Sequence, residues 1–237
     1  MQYYFISGIH PVIAALENKQ REKKKILLSK ENKTIEDLAY KIGVSCQHIS
    51  AKKLHKIIQD DQINHQNVIL EIGEKKFQTI NKDGVYDQVF LCLNNINDMR
   101  NLGAIIRTAK AFSIENIILE KKINLSNNLI HRASSGMIEK VNIFYTVNLK
   151  YALEILKKQD YWITGLSNKG ELNIEDFQWP QKNVIIFGSE GKGLKKIIEK
   201  NCDFKIKIPI NAEVESLNLS NAVAIALASY RNKILRK

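Results

Sequence analysis

Three segments of the sequence hold residues whose types and spacing could do chemistry. In the first, residues 94–112, Asn101 stands at the mouth of an apolar helical pattern and Arg107 follows six residues later. Asparagine is a good helix cap, so Asn101 has a structural reading beside any hydrogen-bonding role. Arg107 lies among Ile105, Ile106, Ala109 and Ala111. A guanidinium in such company is expected to pair with a carboxylate or to reach a pocket. In the second segment, residues 184–194, glycines fall at 188, 191 and 193 around Glu190. Glycines let a ligand approach the backbone closely. The GxxxxGK[ST] and GxGxxG orders are both absent, and Glu190 would repel a phosphate. The guest that fits is a neutral or cationic nucleoside held by main-chain groups. In the third, residues 208–230, Ile208-Pro209 ends a strand, and Ser216, Leu217 and Asn218 lead into a helix. Asn218 or Ser220 can cap that helix. Ala222, Ala226 and Ser229 give it a small-residue face, as Gly103, Ala104, Thr108 and Ala111 do for the first helix. Such faces suit close packing in a core or across a dimer.

The elements that must position these segments follow from periodicity. After residue 88, strands are expected at Val89–Leu93, Asn116–Leu119, Ile143–Thr146, Trp162–Leu166, Val184–Phe187 and Phe204–Ile208. Helices are expected at Gly103–Phe112, Asn127–Ser135, Leu149–Gln159, Leu194–Asn201 and Ser220–Leu235. Apolar strands alternating with helices predict a parallel sheet covered on both faces. Ligands then bind beyond the carboxyl ends of the strands. Before that stretch, His10-Pro11 opens a helix and Lys25–Ser29 reads as a strand. Thr34 starts a second helix with Asp37 as a variant capping box, Ser50–Ile58 a third, and Val68–Ile72 is a strand. The expected division is a small α/β domain over 1–76, a linker over 77–87 and a larger α/β domain over 88–237.

Composition narrows the classes. The chain has 237 residues, 44% hydrophobic and 26% charged, which is ordinary for a globular protein. No apolar run approaches the ~18–20 residues of a membrane span, and the N-terminus lacks the features of a secretion signal, so a cytoplasmic protein is expected. Cys46, Cys92 and Cys202 show no CxxC spacing and read as small core residues. His48 and His55 could share a helix face, but without a third ligand no metal site is expected. Lys and Arg number 36 against 25 acids, for a net charge of +11, and both parts of the chain are basic. Such a surplus attracts polyanions, nucleic acid first. Only six of the 36 bases are arginine, so a lysine-rich codon bias explains part of the excess.

Together and in this order, the three segments resemble the SpoU (TrmH-type) family of RNA ribose methyltransferases, within the knotted SPOUT superfamily. The resemblance covers residues 89–232 and rests on N-x(5)-R, the strand-GxEGxG loop, and IP-x(6)-SLN-x-S before a helix. GIHPVIAAL and HQNVILEI resemble the family's substrate-binding domain, itself similar to a ribosomal protein, and point to the RlmB-like subgroup. Two departures are Met99, where proline is usual, and Ser113, where glycine is common.

The resemblance implies a deep trefoil knot, a homodimer with the first- and third-segment helices at the interface, and S-adenosylmethionine as co-substrate without a metal. It implies donor contacts at Gly188, Ile208 and Leu217, with Gly193 and Glu190 close by. The implied reaction is in-line transfer of the sulfonium methyl to a ribose 2′-hydroxyl, most specifically on a guanosine of large-subunit (23S) ribosomal RNA. Arg107 is expected to grip the neighbouring phosphate and stabilise the developing alkoxide, because guanidinium, with a pKa above ~12, is a poor base. Asn101 and Asn218 are expected to orient the hydroxyl or ribose, Ser216 to shape the loop, and Glu190 to hold Arg107 or a loop amide. Lys23, Lys24, Lys25, Lys52, Lys53 and Lys56 are candidates for the RNA backbone. The rival readings are a transfer-RNA methyltransferase of the same family and a non-catalytic ribosome-assembly factor on this scaffold. A nucleotide-dependent oxidoreductase is a remoter rival, lacking a glycine fingerprint after its first strand.

Overall fold

The structure, a computed structural model, describes residues 2–58, 64–86, 89–120, 123–189 and 193–235. It divides into two units: 1–76 with 124–140, and 77–123 with 141–237.

The first unit opens with β1 (Tyr3–Ser7), α1 (Ile9–Glu17), β2 (Lys23–Leu28), α2 (Lys33–Ile42), β3 (Ser45–His48), α3 (Ala51–Ile58) and β4 (Val68–Gly73). Its sheet runs β1-β4-β2-β3, with β2 and β3 parallel and the other pairs antiparallel. Side chains alternate across it. Ile26 and Leu28 face one way, into the core under α1 and α2, while Leu27 and Ile69 face Leu54 of α3. Helix α2 starts one residue before Thr34 and is capped by Asn32, whose side chain accepts from the Ile35 amide at 3.2 Å. His48 lies on β3 and pairs with Glu36, while His55 lies on α3, so the two share no helix face. Among the described residues no cluster of three His, Cys, Asp or Glu could hold a metal.

The chain continues through β5 (Val89–Leu93), α4 (Met99–Ala111) and β6 (Asn116–Leu119). Next come α5 (Asn128–Ala133) and a 3₁₀ turn (Met137–Lys140), both in the first unit. It then builds β7 (Asn142–Tyr145), α6 (Leu149–Lys157), β8 (Trp162–Leu166), β9 (Leu172–Asn173), β10 (Asn183–Phe187), α7 (Lys196–Glu199), β11 (Phe204–Lys207) and α8 (Leu219–Leu235). The seven strands of the second unit order as β7-β6-β5-β10-β8-β11-β9, every pair parallel. β5 and β10 are buried at every position, as a sheet covered on both faces requires. β11 lies between β8 and β9: the Ser167 amide reaches the Ile206 carbonyl and the Glu171 amide the Lys205 carbonyl, each at 3.0 Å. The short stretch joining β8 to β9 therefore spans the strand that enters between them.

Two segments depart from the sequence reading. The expected linker is packed: Gln78 exchanges backbone hydrogen bonds with Ile143 and Tyr145 at the edge of β7. Tyr86 sits edge-on to Phe90 and Phe144 at 5.3 and 5.5 Å. Its few apolar residues are too irregularly spaced to show a period, yet Ile80 and Tyr86 pack against the core, while Val85 is exposed. Residues 124–140, expected with the larger domain, join the first unit through buried polar contacts. The Asn128 side chain bonds both the Ser7 amide (2.9 Å) and its hydroxyl (2.8 Å). Arg21 pairs with Glu139 at 3.1 Å, donates to the Gly73 carbonyl at 2.8 Å and reaches the Tyr4 hydroxyl. Burial pushes the His131 imidazole down to about 4, so it is neutral at pH 7, and pushes the Tyr4 hydroxyl up to about 12.

Candidate active site

Beyond the carboxyl ends of β8, β10 and β11 lies a cavity of about 620 Å³. Its walls come from three places. After β10 they are Phe187, Gly188 and Ser189, with Gly193 and Leu194 across the loop. After β11 they are Ile208, Ile210 and the run Glu215–Leu219. The third wall is Leu166–Lys169, directly after β8. Sequence reasoning missed that wall, although the rule placing ligands beyond strand ends points to SNKG after an apolar strand.

The glycine loop closes on itself. Ser189 and Gly193 exchange both backbone hydrogen bonds, at 3.1 and 3.0 Å. Gly193 takes a left-handed φ of +63°. A Cβ on Gly188 would lie 2.0 Å from the Gly193 carbonyl carbon. Gly188 is thus demanded by the close passage of one backbone over another. Main chain lines this wall, which suits a guest recognised by amides and carbonyls. The lining carries both charges, Lys169 and Lys196 with Glu199 and Glu215, a set that fits a zwitterionic tail.

All four residues expected to hold the donor, Gly188, Gly193, Ile208 and Leu217, line the cavity, as do Ser216 and Asn218. Asn218 has two jobs. Its carbonyl oxygen accepts from the Ser220 amide (2.8 Å) and hydroxyl (2.6 Å), which caps α8. Its amide nitrogen donates to Asn101 Oδ1 at 3.4 Å, joining the third segment to the first. Asn101 is not the cap of α4. That helix begins two residues earlier, and Asp98 accepts from the Arg100 amide at 2.6 Å and the Asn101 amide at 3.2 Å. Asp98→Ala removes this cap. It is expected to cost about 1 kcal/mol of stability in a denaturant titration, and to loosen the turn that presents Asn101. Ser113 holds a left-handed φ of +60°, the conformation in which glycine is at ease.

Among the described residues Arg107 pairs with no carboxylate, and it does not line the cavity. It is exposed on α4, with no hydrogen bond or ion pair to the described residues. Its apolar sequence neighbours face the core at 3.6-residue spacing and leave its own direction to solvent. The small-residue faces are spent largely within the chain: α4 packs on α8, Ala226 is buried, and Ser229 accepts from Trp179 Nε1 at 3.1 Å. Ile225 remains 40% exposed on α8. Glu190 lies outside the described residues. Of the six candidate lysines, Lys23 donates to the Asn18 carbonyl, and Lys24 and Lys25 pair with Glu71. Lys52, Lys53 and Lys56 stand exposed on α3.

Comparison with known proteins gives two family matches. Residues 88–228 match the SpoU rRNA methylase family, and residues 5–78 match the RNA 2′-O ribose methyltransferase substrate-binding domain. An uncharacterised tRNA/rRNA methyltransferase of Mycoplasma pneumoniae is 31% identical over 237 residues, covering 96% of this chain and 97% of its own. The 23S rRNA (guanosine-2′-O-)-methyltransferase RlmB of Xylella fastidiosa is 27% identical, covering 94% of each. Among solved structures, the SpoU methyltransferase AviRb from Streptomyces viridochromogenes, in complex with AdoMet, superposes with a TM-score of 0.84 at 17% identity. That superposition covers 99% of this chain and 92% of AviRb. An AdoMet-bound rRNA methyltransferase from Sinorhizobium meliloti superposes at 0.81 and 22% identity, covering 97% and 87%.

Proposed function

The chain belongs to the SpoU rRNA methylase family, and we propose that it methylates a ribose 2′-hydroxyl of RNA with S-adenosylmethionine as donor. The RNA is ribosomal, and the target most in keeping with its RlmB relatives is a guanosine of 23S rRNA. One observation carries this reading. One cavity is lined by Gly188, Ile208, Leu217 and Asn218, and the Asn218 side chain reaches across to Asn101. When bound, the donor supplies a methyl already activated on a sulfonium, so the reaction asks no Lewis acid of the protein.

The chain's own residues have three tasks. Gly188, Gly193, Ile208 and Leu217 hold the adenosyl group. Asn101 and Asn218 orient the acceptor hydroxyl by hydrogen bonds and Ser216 shapes their loop, holding the reacting atoms at roughly 3–3.5 Å. Arg107 grips the phosphate next to the target ribose and steadies the oxyanion as its proton leaves. Its exposure, outside the lining of its own chain's cavity, supports a homodimer in which α4 and α8 meet their copies and Arg107 serves the partner's site. The trefoil knot is part of the same reading: supporting it is the Ser167–Glu171 stretch that spans β11. A cytoplasmic enzyme fits a ribosomal substrate, and no described helix is long and apolar enough to cross a membrane.

Calorimetry with S-adenosylmethionine, and mapping of ribose methylation in rRNA and tRNA from cells with and without the gene, test the proposal. Donor binding and one 23S site lost with the gene are expected. No donor binding would sink the enzyme reading, and a lost tRNA site would move the substrate. Lys52, Lys53 and Lys56 are expected to meet phosphates. Their joint replacement by alanine should weaken RNA binding and flatten the slope of log affinity against log salt by about 2, at ~0.7 per single-strand contact.

A further inference from the structure

We infer that Arg21 and Glu139 are positioning residues for RNA methylation. Their buried ion pair, with Gly136 seated on α1, binds residues 124–140 into the RNA-binding unit and ties that unit to the catalytic chain at three covalent crossings instead of one. The inference rests on reading the first unit as RNA-binding.

The chain crosses between the units at 76/77, 123/124 and 140/141. The second and third crossings exist only because 124–140 folds with the first unit. Ile130 and Ile138 are buried there, and beside them the segment is held by polar groups shut away from water. The side chains of Arg21 and Glu139 are 3% and 0% exposed. The pair is fully furnished: Arg21 also donates to the Gly73 carbonyl and the Tyr4 hydroxyl, and Glu139 accepts from Asn18 Nδ2 at 2.9 Å. An apolar patch could settle in several registers, whereas this set of donors and acceptors is satisfied in one. The backbone confirms the fit at a separate point. Gly136 has φ +78°, and a Cβ there would lie 2.7 Å from Ala14 Cβ and 2.9 Å from the His10 carbonyl oxygen.

Two added crossings remove most of the freedom a unit has on a single linker. An RNA held by the first unit then meets the catalytic residues at a high effective concentration. Loss of the clasp frees 124–140 and leaves donor binding alone, because the donor cavity draws every wall from the second unit.

The test uses the full chain with Arg21→Met, Glu139→Gln and, leaving the charges intact, Gly136→Ala. Amide hydrogen exchange, donor affinity by calorimetry, RNA affinity and the split between kcat and KM for RNA are measured for each. Exchange over 124–140 is expected to quicken at least tenfold while β5 and β10 keep their protection. Donor affinity is expected within twofold of the parent, and KM for RNA about tenfold higher. Unchanged exchange over 124–140 would overturn the inference, and so would faster exchange with unchanged RNA kinetics. If all three variants lost donor binding, 124–140 would belong to the catalytic fold itself, which also overturns it. A parent protein that bound donor but methylated no RNA would sink the functional reading instead, and the exchange and RNA-affinity measurements would still decide the clasp.

Discussion

Replacing Arg107 with alanine is expected to lower kcat by about 10²–10³, the loss seen when one preorganised oxyanion donor is removed, while donor affinity stays unchanged. The donor side follows from geometry, since Arg107 lines no part of the cavity. Stability should also hold, because the side chain is exposed and bonds to no described residue. The loss in turnover follows from charge. As the 2′-hydroxyl gives up its proton, negative charge gathers beside an RNA phosphate, and a fixed cation with a planar fork can answer both at once. A guanidinium stays protonated at any working pH, so its contribution is electrostatic rather than basic. Arg107→Lys keeps the charge and loses the fork, and should retain only part of the rate. Single-turnover methyl transfer at saturating RNA, beside calorimetry for the donor, reads both variants. Near-normal turnover in the lysine variant, with normal RNA affinity, would refute the fork argument.

How much of this was legible depended on where each residue's partners lie. VFLCL and VIIF are continuous apolar runs between polar loops, so β5 and β10 announce themselves. SCQH is short and polar, and it becomes β3 only because β2 offers a parallel edge, which no local pattern reports. The four residues expected to contact the donor, which line the cavity, are legible because motif order is local to each loop. The Leu166–Lys169 wall carries no motif and shows only once β8 stands beside β10 and β11. Asn101 was misread as a possible cap since Asp98, three residues before it, lay in a stretch with no helical period. The sequence reading has Arg107 pair with a carboxylate or reach a pocket and leaves open whose. A helix pattern says which residues face the core, but it is silent on whether the opposite face meets water or another chain. Residues 124–140 were hidden for the same reason: their hydrogen-bond partners, Ser7, Asn18 and Arg21, lie more than 115 residues away.

Gly188→Ala should abolish measurable donor binding, a loss of at least ~100-fold, with the fold intact. The added methyl would lie 2.0 Å from one backbone atom and 2.3 Å from another, and neither is the free end of a side chain. Little can give way. The Gly188 side is anchored through β10, which pairs with β5 and β8, and the Asn94 amide holds the Phe187 carbonyl at 2.9 Å. The Ser189–Gly193 bridge is what must break, and with it goes the wall proposed above to hold the adenosyl group. Two sheet neighbours keep β10 in place, so the melting temperature should fall by only a few degrees. This variant also decides how Arg107 is delivered. If the protein is the homodimer proposed above, Arg107→Ala dimers keep good cavities without the guanidinium, and Gly188→Ala dimers keep the guanidinium without good cavities. Mixed and allowed to exchange subunits, the two inactive proteins form heterodimers. If Arg107 serves the partner's cavity, each heterodimer regains one complete site, and turnover returns to roughly a quarter of the parent value. If Arg107 serves its own chain, no site is completed and the mixture stays inactive, which would rule out delivery across the dimer.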